Sequence, residues 1–598
     1  MTPSMGRRGQ RFSGMDQQPA LLLILIISLL TAMTGRLAWL QLAHGSENRV
    51  LADENRVRLV PRSPMRGRLL DRRGRLMAGN RLTYNLYLLP KELNDARWRQ
   101  LQPRLANLLQ IPADRLNHQR QSGLNPDGYR IELIADLKPD QVLRLKEQQA
   151  NLQGLQVDQD YRRSYTYGAL GAHVLGYTSP ITDAEYQYLA EKGYRIQDRI
   201  GRIGIEAVYE NHLRGEWGGQ QLEVNAAGEV QRVLGDKQAK AGKDLILTLD
   251  LDLQRAADEA LGTVAKGAIV ALDPRTGAVR AMASKPNYDP NIFSRNINTA
   301  EWKFLNRTEA PLLNRALQGF PPASTFKIVT TAAGIESGLM NAKSTLPTFN
   351  SFCYAGMCYG DHGSFGSIGF PLALAVSSNS FYYQVGLKVG ESELFKAARR
   401  FGYGSYTGIE LKTEESPGLL GDAAWKKQVL KEAWTPVDTI TSAIGQGALQ
   451  VTPLQMARLY AAVANGGNLV TPHLVEGKHV PKPHGMGLKA DTIKMLHQGL
   501  RRAVTEGTAK VLADPNLPAV AGKTGTGEDP PRPDHAWFGG YAPAEKPQLV
   551  IVAFAENSGG YGGTVSAPMV KKVMEVFFKK MPAQAALTNS GAKPTTWP

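Results

Sequence analysis

Residues 320–327 read Phe-Pro-Pro-Ala-Ser-Thr-Phe-Lys, and the apolar residues that follow predict a helix that begins near Ser324. Proline is favourable at the first turn of a helix, which supports a helix start here. Because residues three apart share a helix face, Lys327 is expected to point back towards Ser324. A serine hydroxyl needs a base to become a nucleophile, and a lysine serves as one only when burial or a neighbouring cation lowers its pKa. The pair predicts an acylation site, although Ser-x-x-Lys alone arises by chance about once or twice in a chain of this size.

Two later motifs support a catalytic interpretation. Ser377-Ser378-Asn379 follows a helical pattern at 371–376, and it combines a hydroxyl that can relay a proton with an amide that can hold a peptide bond. Gly522-Lys523-Thr524-Gly525-Thr526 comes just before two predicted strands, and its small residues suit an edge strand that another backbone can approach. A phosphate-binding loop would need glycine where this chain has Leu517, which disfavours that alternative. The order of the three motifs indicates one catalytic site.

The segments around these motifs predict an α+β domain. Strand patterns lie on both sides of a helical insertion, so the sheet is expected to draw its strands from both ends of the domain. A turn with proline and glycine at 273–277 predicts that its two flanking strands form a hairpin. The predicted strands are 244–249, 267–272, 278–282, 536–541 and 549–555, and the predicted flanking helices are 251–261 and 567–577.

The N-terminal region carries a membrane signal. Arg7, Arg8 and Arg11 precede the uncharged stretch 21–34, and 19–42 supplies the roughly 20 apolar residues that a spanning helix needs. A cleaved signal peptide and a buried core helix are the alternatives, but no convincing small-x-small cleavage site follows. We therefore expect an uncleaved anchor with its N-terminus inside and the rest of the chain exported.

The segment between the anchor and the catalytic motifs mixes polar helices with short strands and holds no reactive cluster, which predicts a spacer or interaction module. The whole chain has 70 basic and 54 acidic residues, a net charge of +16 that suits an anionic partner such as nucleic acid, a lipid surface or a phosphate-bearing substrate. No zinc-finger spacing, RNP-like aromatic motif or concentrated basic helix is present in the sequence, which disfavours nucleic acid.

Cys353 and Cys358 are the two cysteines of the chain, and their proximity predicts a local disulfide in an oxidising compartment. A zinc site using both cysteines with Asp361 and His362 is the alternative, because these donors suit zinc. The spacing of these four residues matches no standard zinc pattern.

The order Ser-x-x-Lys, Ser-x-Asn and Lys-Thr-Gly resembles the penicillin-recognising serine acyltransferases, and the anchor with a long N-terminal region is similar to class B penicillin-binding proteins. The resemblance covers nearly the whole chain, because further stretches resemble family signatures at 66–78, 165–177, 201–206 and 444–455. The segment 37–90 looks most like the elongation-type members.

This resemblance implies an α+β architecture with a single transmembrane helix and an elongated α+β pedestal. The C-terminal transpeptidase domain is expected to combine an antiparallel sheet and helices with an all-helical subdomain. The implied order is a cytoplasmic N-terminus (1–18), the anchor (19–42), a pedestal or dimerisation domain (43–240), the transpeptidase domain (241–580) and a disordered tail (581–598).

The resemblance also implies the activity of a peptidoglycan D,D-transpeptidase that crosslinks stem peptides during cell-wall elongation and is inhibited by β-lactams. Ser324 would attack the penultimate D-alanine carbonyl, Lys327 would accept its proton, and Ser377 would help pass that proton to the departing D-alanine. Asn379 would hold the substrate amide, and Lys523 would shape the positive field of the site. Thr524 and Thr526 would bind the terminal carboxylate, and Gly525 would leave clearance. The backbone N–H groups of Ser324 and Thr526 would form the oxyanion hole, without a cofactor or a metal.

The implied location is the cytoplasmic (inner) membrane, crossed once, with the catalytic domain in the periplasm. No glycosyltransferase motif appears before Gly242, so glycan polymerisation must come from a partner. By resemblance that partner is a SEDS-type, RodA-like glycosyltransferase, alongside other membrane proteins of the elongation complex.

Three alternatives keep related chemistry. A septal class B transpeptidase would use the same site in division, and a non-catalytic β-lactam sensor or scaffold would acylate without transfer. Sensors usually carry several spanning helices and a signalling domain, whereas this chain has one span. A D,D-carboxypeptidase or a β-lactamase is the third alternative, and the β-lactamase is disfavoured because no recognisable motif places a glutamate to activate water.

Two positions depart from the family pattern. Ala323 stands where the family often has glycine, and Ser378 stands where many elongation-type members have cysteine. If that cysteine normally serves a metal site, its replacement disfavours zinc and favours the Cys353–Cys358 disulfide.

Overall fold

The computed structural model describes residues 17–43, 57–90, 92–122, 130–224, 230–295 and 297–579. The expected tail (581–598) and all but the last two residues of the expected cytoplasmic segment (1–18) lie outside the described residues. The chain divides into two compact units. One comprises Met1–Pro64 and Glu216–Lys240, and the other comprises Met65–Gly215 and Ala241–Pro598.

The first unit contains an apolar helix and a small sheet. The helix Gln17–Ala38 continues as one π-helical turn, Trp39–Ala43. Within the described residues, Leu21–Leu42 is the one stretch long and apolar enough to cross a bilayer, with a mean hydropathy of 2.1 and none of it buried in the protein. This helix fits a single-pass membrane anchor. Three antiparallel strands, Val57–Arg62, Gly218–Val224 and Val230–Lys237, form the sheet in that order.

The N-terminal half of the second unit is built on a long strand, Leu76–Leu88. From Ala78 to Leu88 this strand pairs antiparallel with Leu155–Tyr165. The strands Leu69–Leu70, Ile131–Ile134 and Leu245–Ile246 complete this five-stranded sheet. Trp98, Leu101 and Leu105 lie on one face of the helix Asp95–Leu109 and pack into a core with the sheet. The helices of this half are Asp95–Leu109, Ala113–Ser122, Pro139–Glu147, Ala172–Leu175, Asp183–Leu189, Gly204–Val208 and Glu210–Leu213, and a short strand pair is formed by Thr178–Pro180 and Arg199–Gly201.

A buried ion-pair network joins two of the stretches that resemble family signatures to the strand Leu155–Tyr165. Glu206, fully buried, accepts 2.6 Å hydrogen bonds from Nε of Arg66 and from Nε of Arg163. Burial acts to raise the pKa of Glu206, but the two guanidinium groups outweigh it and leave that pKa below its ordinary value. The network ties chain segments that are far apart in sequence. Loss of the Glu206 carboxylate would remove the ion-pair partner of the buried Arg163, while Arg66 would keep its 2.6 Å ion pair with Glu210.

The C-terminal part of the second unit is organised around a five-stranded sheet. In chain order its strands are β1 (Gly267–Leu272), β2 (Val279–Lys285), β3 (Ala521–Asp529), β4 (Arg532–Ala542) and β5 (Leu549–Ala555). Their order across the sheet is β2-β1-β5-β4-β3, and all neighbours are antiparallel. The predicted hairpin and the predicted C-terminal strand pair are therefore present, and the α+β fold class is confirmed.

Hydrophobic cores cover both faces of this sheet. Along β5, Val550, Val552 and Phe554 enter one core, while the alternate residues Leu549, Ile551 and Ala553 enter the other. This explains why β5 is an unbroken apolar run rather than an alternating one. The helices Leu251–Leu261 and Ser566–Lys579 cover the second face, and the helix Pro453–Ala464 packs on the first.

The helical insertion lies on the first face and carries the first two predicted motifs. Its long helix Asn379–Arg400 is interrupted at Gly390, where φ is +76°. The other helices of this domain are Thr299–Leu305, Lys327–Glu336, Phe370–Val376, Ala423–Val429, Pro436–Ala443 and Ala490–Thr505. Short antiparallel strand pairs join Thr345–Pro347 with Ser367–Gly369, Ser351–Tyr354 with Met357–Gly360, Leu419–Leu420 with Leu449–Gln450, and Asn468–Leu469 with His484–Gly485.

Candidate active site

Ser324 lies in a single 3₁₀ turn, Ala323–Phe326, which runs directly into the helix Lys327–Glu336. The helix is buried on all sides from Lys327 to Ile335, which explains its apolar sequence. Ser324 itself is half-buried, so its hydroxyl lies where the turn reaches the protein surface. The turn places Ser324 and Lys327 one helical turn apart, as their spacing predicts.

Backbone strain marks two positions of the site. Ala323 has φ +51° and Ser377 has φ +61°, and both values lie in the left-handed region that favours glycine. Strained residues of this kind persist only where the surrounding structure fixes them, and they cluster at active sites. The value at Ala323 gives a physical reason for the glycine often found there in the family.

Gly445 holds the nucleophile turn in place. Its carbonyl accepts a 2.9 Å hydrogen bond from the backbone N–H of Ala323. Gly445 has φ +76°, and a Cβ added there would lie 2.2 Å from the carbonyl oxygen of Ala323. The segment around Gly445, which resembles a family signature, therefore acts as a backbone support for Ser324.

We expect Gly445→Ala to unfold at a lower temperature than the matched variant Gly466→Ala and to acylate more slowly. Both glycines have positive φ, at +76° and +79°, so each substitution incurs a left-handed strain of about 1–2 kcal/mol. A Cβ at Gly466 meets no atom within 4 Å, so the difference between the variants isolates the clash with Ala323. Thermal unfolding and penicillin labelling measure the two effects. Equal behaviour of the variants would contradict the supporting role of Gly445.

The amino group of Lys327 joins the first motif to the second. Its Nζ lies 2.6 Å from Oδ1 of Asn379, 2.7 Å from the carbonyl oxygen of Ser377 and 3.2 Å from Oγ of Ser377. Ser377 follows the helix Phe370–Val376 as its left-handed cap, and Asn379 begins the helix Asn379–Arg400. The short connection between these two helices thus places the side chains of Ser377 and Asn379 next to the buried Nζ of Lys327.

The electrostatics of this cluster favour a neutral lysine. Burial and then the nearby cation of Lys523 hold the pKa of Lys327 well below its ordinary value, against the opposing effect of the Asp361 carboxylate. Burial also lowers the pKa of Lys523 to about 7. A neutral amine keeps two N–H donors, which suffice for the carbonyl of Ser377 and for Asn379. Its lone pair is then available to accept a proton.

The third motif lies on β3, at the edge of the sheet, as predicted. Lys523 is fully buried, and its Nζ donates to the carbonyl oxygen of Thr524 at 2.9 Å. Gly525 faces the nucleophile turn: a Cβ there would lie 3.1 Å from Cγ2 of Thr325 and 3.3 Å from the carbonyl oxygen of Pro322. The clearance at Gly525 therefore serves the packing of β3 against the turn that carries Ser324.

The two threonines of this motif differ in accessibility. Thr524 is buried, and its hydroxyl lies 2.6 Å from the hydroxyl of Thr508. Thr526 is half-buried and lies further along the edge strand. Thr526 is therefore the more accessible of the two candidate carboxylate ligands.

The structure joins Cys353 and Cys358 through a disulfide. The two residues face each other across the strand pair Ser351–Tyr354 and Met357–Gly360. The disulfide leaves no free thiolate for the alternative zinc site, and no cluster of three or more metal-binding side chains occurs within the residues that the structure describes.

Two residues outside the motifs also shape the site. Trp537 of β4 donates through Nε1 to the carbonyl oxygen of Pro321 at 3.0 Å and so fixes the approach to the nucleophile turn. Asp361 binds the segment 378–380 and was considered from sequence only as a metal ligand. No motif marks either residue, because their hydrogen-bond partners lie in other segments of the chain.

Comparison with known proteins identifies the family. A family described as the penicillin-binding protein dimerisation domain matches residues 61–247, and the penicillin binding protein transpeptidase domain matches residues 267–575. The peptidoglycan D,D-transpeptidase MrdA of Acinetobacter baumannii is 32% identical to this chain over 622 residues, which cover 96% of this chain and 91% of the relative.

Solved structures agree with this assignment. The penicillin-binding protein PBP2 of Helicobacter pylori, in its complex with MreC, is similar with a TM-score of 0.80 and 25% identity, covering 88% of this chain and 99% of that chain. A chain from a structure titled "Structural coordination of polymerization and crosslinking by a peptidoglycan synthase complex" is similar with a TM-score of 0.70 and 33% identity, covering 95% and 99%. On this evidence the chain belongs to the class B penicillin-binding proteins, and within them it is most similar to the elongation-type PBP2 branch.

Proposed function

We propose that this chain is a serine-type peptidoglycan D,D-transpeptidase that crosslinks stem peptides during cell-wall elongation, with Ser324 as its nucleophile. The observation that carries the proposal is the buried amine of Lys327. This amine is desolvated and contacts Ser377 and Asn379 of the second motif. It lies one helical turn from Ser324, which is half-buried. The names of the similar curated relatives support the same activity.

In the first half-reaction, Oγ of Ser324 attacks the carbonyl carbon of the penultimate D-alanine. The new bond joins Oγ to that carbon, the peptide C–N bond breaks, and the terminal D-alanine departs. Lys327 takes the proton from Ser324, and the 3.2 Å contact between Nζ and Oγ of Ser377 supports a relay of that proton to the departing amine. The proton thus moves from nucleophile to leaving group without entering bulk water.

Binding and charge stabilisation come from the second and third motifs. Asn379 holds the substrate amide, Lys523 provides a positive field, and Gly525 keeps β3 close to the nucleophile. Thr526, with Thr524 behind it, binds the terminal carboxylate. The backbone N–H groups of Ser324 and Thr526 form the oxyanion hole, in which one donor contributes roughly 3–4 kcal/mol to transition-state stabilisation.

In the second half-reaction, the amine of another stem peptide attacks the acyl-enzyme, forms the crosslink and releases Ser324. The position of β3 at the edge of the sheet supports binding of a stem peptide in an extended conformation, because such a peptide can pair with an edge strand. A β-lactam mimics the first substrate and stops at the acyl-enzyme.

The membrane arrangement is part of the proposal. We place the N-terminus (1–18) in the cytoplasm, the anchor at 19–42 in the inner membrane, and the pedestal (43–240) and transpeptidase domain (241–580) in the periplasm. The basic residues before the apolar stretch support this orientation. The polymerising partner is a SEDS-type, RodA-like glycosyltransferase. The titles of two similar structures, a complex with MreC and a peptidoglycan synthase complex, support membership of a multiprotein elongation complex.

Two measurements test this function. Detergent-solubilised full-length protein incubated with fluorescent penicillin should gain one covalent adduct, which mass spectrometry of peptides should map to the fragment containing Ser324. Depletion of the protein in cells should cause rounding. Filamentation on depletion would instead assign the enzyme to division, and absence of any adduct would contradict acyl-enzyme chemistry.

A further inference from the structure

Asp361 stands where the disulfide-closed strand pair meets the second motif. It directly follows the strand Met357–Gly360, and its backbone N–H donates to the carbonyl oxygen of Asn350 at 2.9 Å, just before the partner strand begins. The Cys353–Cys358 disulfide crosslinks the same strand pair. The position of Asp361 is therefore set by the base of a covalently closed hairpin.

The carboxylate of Asp361 collects four hydrogen bonds from three consecutive residues. Its Oδ1 accepts the backbone N–H of Asn379 at 2.8 Å. Its Oδ2 accepts the backbone N–H of Ser380 at 2.8 Å, Oγ of Ser380 at 2.7 Å and Oγ of Ser378 at 2.6 Å. These are the first residues of the helix Asn379–Arg400, whose N-terminal N–H groups have no partners within the helix. A carboxylate there also complements the positive end of the helix dipole.

The same hairpin holds the side chain of Asn379. Its Nδ2 donates to the carbonyl oxygen of Gly360 at 3.2 Å, while its Oδ1 lies 2.6 Å from Nζ of Lys327. Since Gly360 and Asp361 are adjacent, one short segment sets both the backbone position and the amide orientation of Asn379. The amide oxygen that contacts the catalytic lysine is thus directed from the hairpin.

We propose that Asp361 is a positioning residue of the active site, which fixes the second motif so that Asn379 and Ser377 hold Lys327 in its working position. The inference rests on the proposed function, because it assigns to Asp361 a task in the acylation of Ser324. Asp361 contacts none of the residues proposed to bond with the substrate carbonyl, and it acts through the segment 378–380.

The charge of Asp361 affects the pKa of Lys327, and a purely structural role of Asp361 would leave that pKa unchanged. The charged or titratable groups facing Lys327 are Lys523 on β3, Asp361 and His362 after the hairpin, and the ring of Tyr382, whose centroid lies 5.6 Å from Nζ. Among them Asp361 is the anion, and it favours protonated Lys327. Neutralising Asp361 therefore lowers the pKa of Lys327. In a plot of acylation rate against pH, the acidic limb, where the rate falls as Lys327 is protonated, then moves to lower pH.

The test compares Asp361→Asn with Asp422→Asn in the detergent-solubilised full-length protein. Asp422 also caps a helix of the same domain, through a 2.9 Å bond from the backbone N–H of Trp425, but it touches no residue of the site. The asparagine at 361 is mismatched in either orientation, because its NH₂ group must face a backbone N–H that can only donate. We measure the second-order rate of acylation by fluorescent penicillin from pH 5 to pH 10.

For Asp361→Asn we expect the plateau rate to fall by about tenfold to a hundredfold, the order expected for a small misplacement of catalytic groups. We expect its acidic limb to move to lower pH by about one pH unit, while Asp422→Asn keeps the wild-type profile. If Asp361→Asn does not fold, the double variant Ser378→Ala with Ser380→Ala takes its place. That variant keeps the charge, so its plateau should fall with the limb unmoved.

A wild-type plateau and limb in Asp361→Asn, or wild-type rates in the double variant when it replaces Asp361→Asn, would overturn the inference. Failure of the unmodified protein to acylate at any pH would instead contradict the proposed function, so the two failures are distinguishable.

Discussion

Replacing Ser324 with alanine will abolish covalent labelling of the full-length protein by fluorescent penicillin. Acylation forms a bond to Oγ, and the variant has no oxygen at that position, so no adduct can form there. The expected loss is complete in a gel-based labelling assay, and loss of a serine nucleophile typically lowers turnover by on the order of 10⁶. Alanine is small and helix-compatible, so thermal unfolding should remain close to that of the unmodified protein.

The matched control for this experiment is Ser337→Ala. Ser337 caps the far end of the same helix. Its Oγ donates to the carbonyl of Gly334 at 3.1 Å and accepts the backbone N–H of Leu339 at 3.4 Å, and neither partner belongs to the three motifs. Its variant should label like the unmodified protein. Persistent labelling of Ser324→Ala would remove Ser324 as the nucleophile, whatever the control shows.

Replacing Lys327 with methionine will slow acylation by about 10²–10⁴-fold, the range that a general base contributes. Methionine keeps the apolar stem but has no group that accepts the proton from Ser324. The loss should appear in stopped-flow measurement of the acylation rate, while the exposed substitution Lys343→Met should leave that rate unchanged. Wild-type acylation by Lys327→Met would mean that another group is the base.

The pH dependence of the unmodified protein checks the same assignment. The base is the neutral amine, so acylation should be lost as pH falls through the pKa of Lys327, tenfold for each pH unit below it. Because burial and Lys523 hold that pKa well below 10.5, the plateau should be reached well before strongly alkaline pH. In Lys327→Met the residual rate should lose this acidic limb, which a change in folding alone would not cause.

Local sequence patterns predicted the elements whose cause is local. The spacing of Ser324 and Lys327 predicted their helical relation, and small residues around Lys523 predicted an edge strand. The apolar run of β5 predicted a strand because both of its faces are buried. By contrast, the sequence predicted only short strands before the catalytic motifs, whereas the strand Leu76–Leu88 is 13 residues long. Polar residues in its first half are held by pairing with Leu155–Tyr165.

The unpredicted parts of the site depend on contacts between distant segments. The left-handed backbone of Ala323 and its support by Gly445 link residues about 120 positions apart, which no window of sequence can reveal. The burial of Thr524 against Thr508 reduces the role expected for that hydroxyl at the substrate. Asp361 was visible as a carboxylate near two cysteines, but the four hydrogen bonds that link it to the second motif come from the start of a later helix.

The fully buried Lys523 also links the folding equilibrium to acidity. Its pKa is about 7 in the folded protein and 10.5 in an ordinary environment, so between these values the unfolded chain binds a proton that the folded chain does not. The free energy of unfolding should therefore rise with pH from about 7 to about 10.5, and the stability penalty at or below neutral pH is on the order of 5 kcal/mol. On folding at neutral pH, Lys523 therefore either releases its proton or remains charged in the protein interior. The contribution of Lys523 therefore favours the folded state at alkaline pH over acidic pH, and it arises from a residue of the catalytic site.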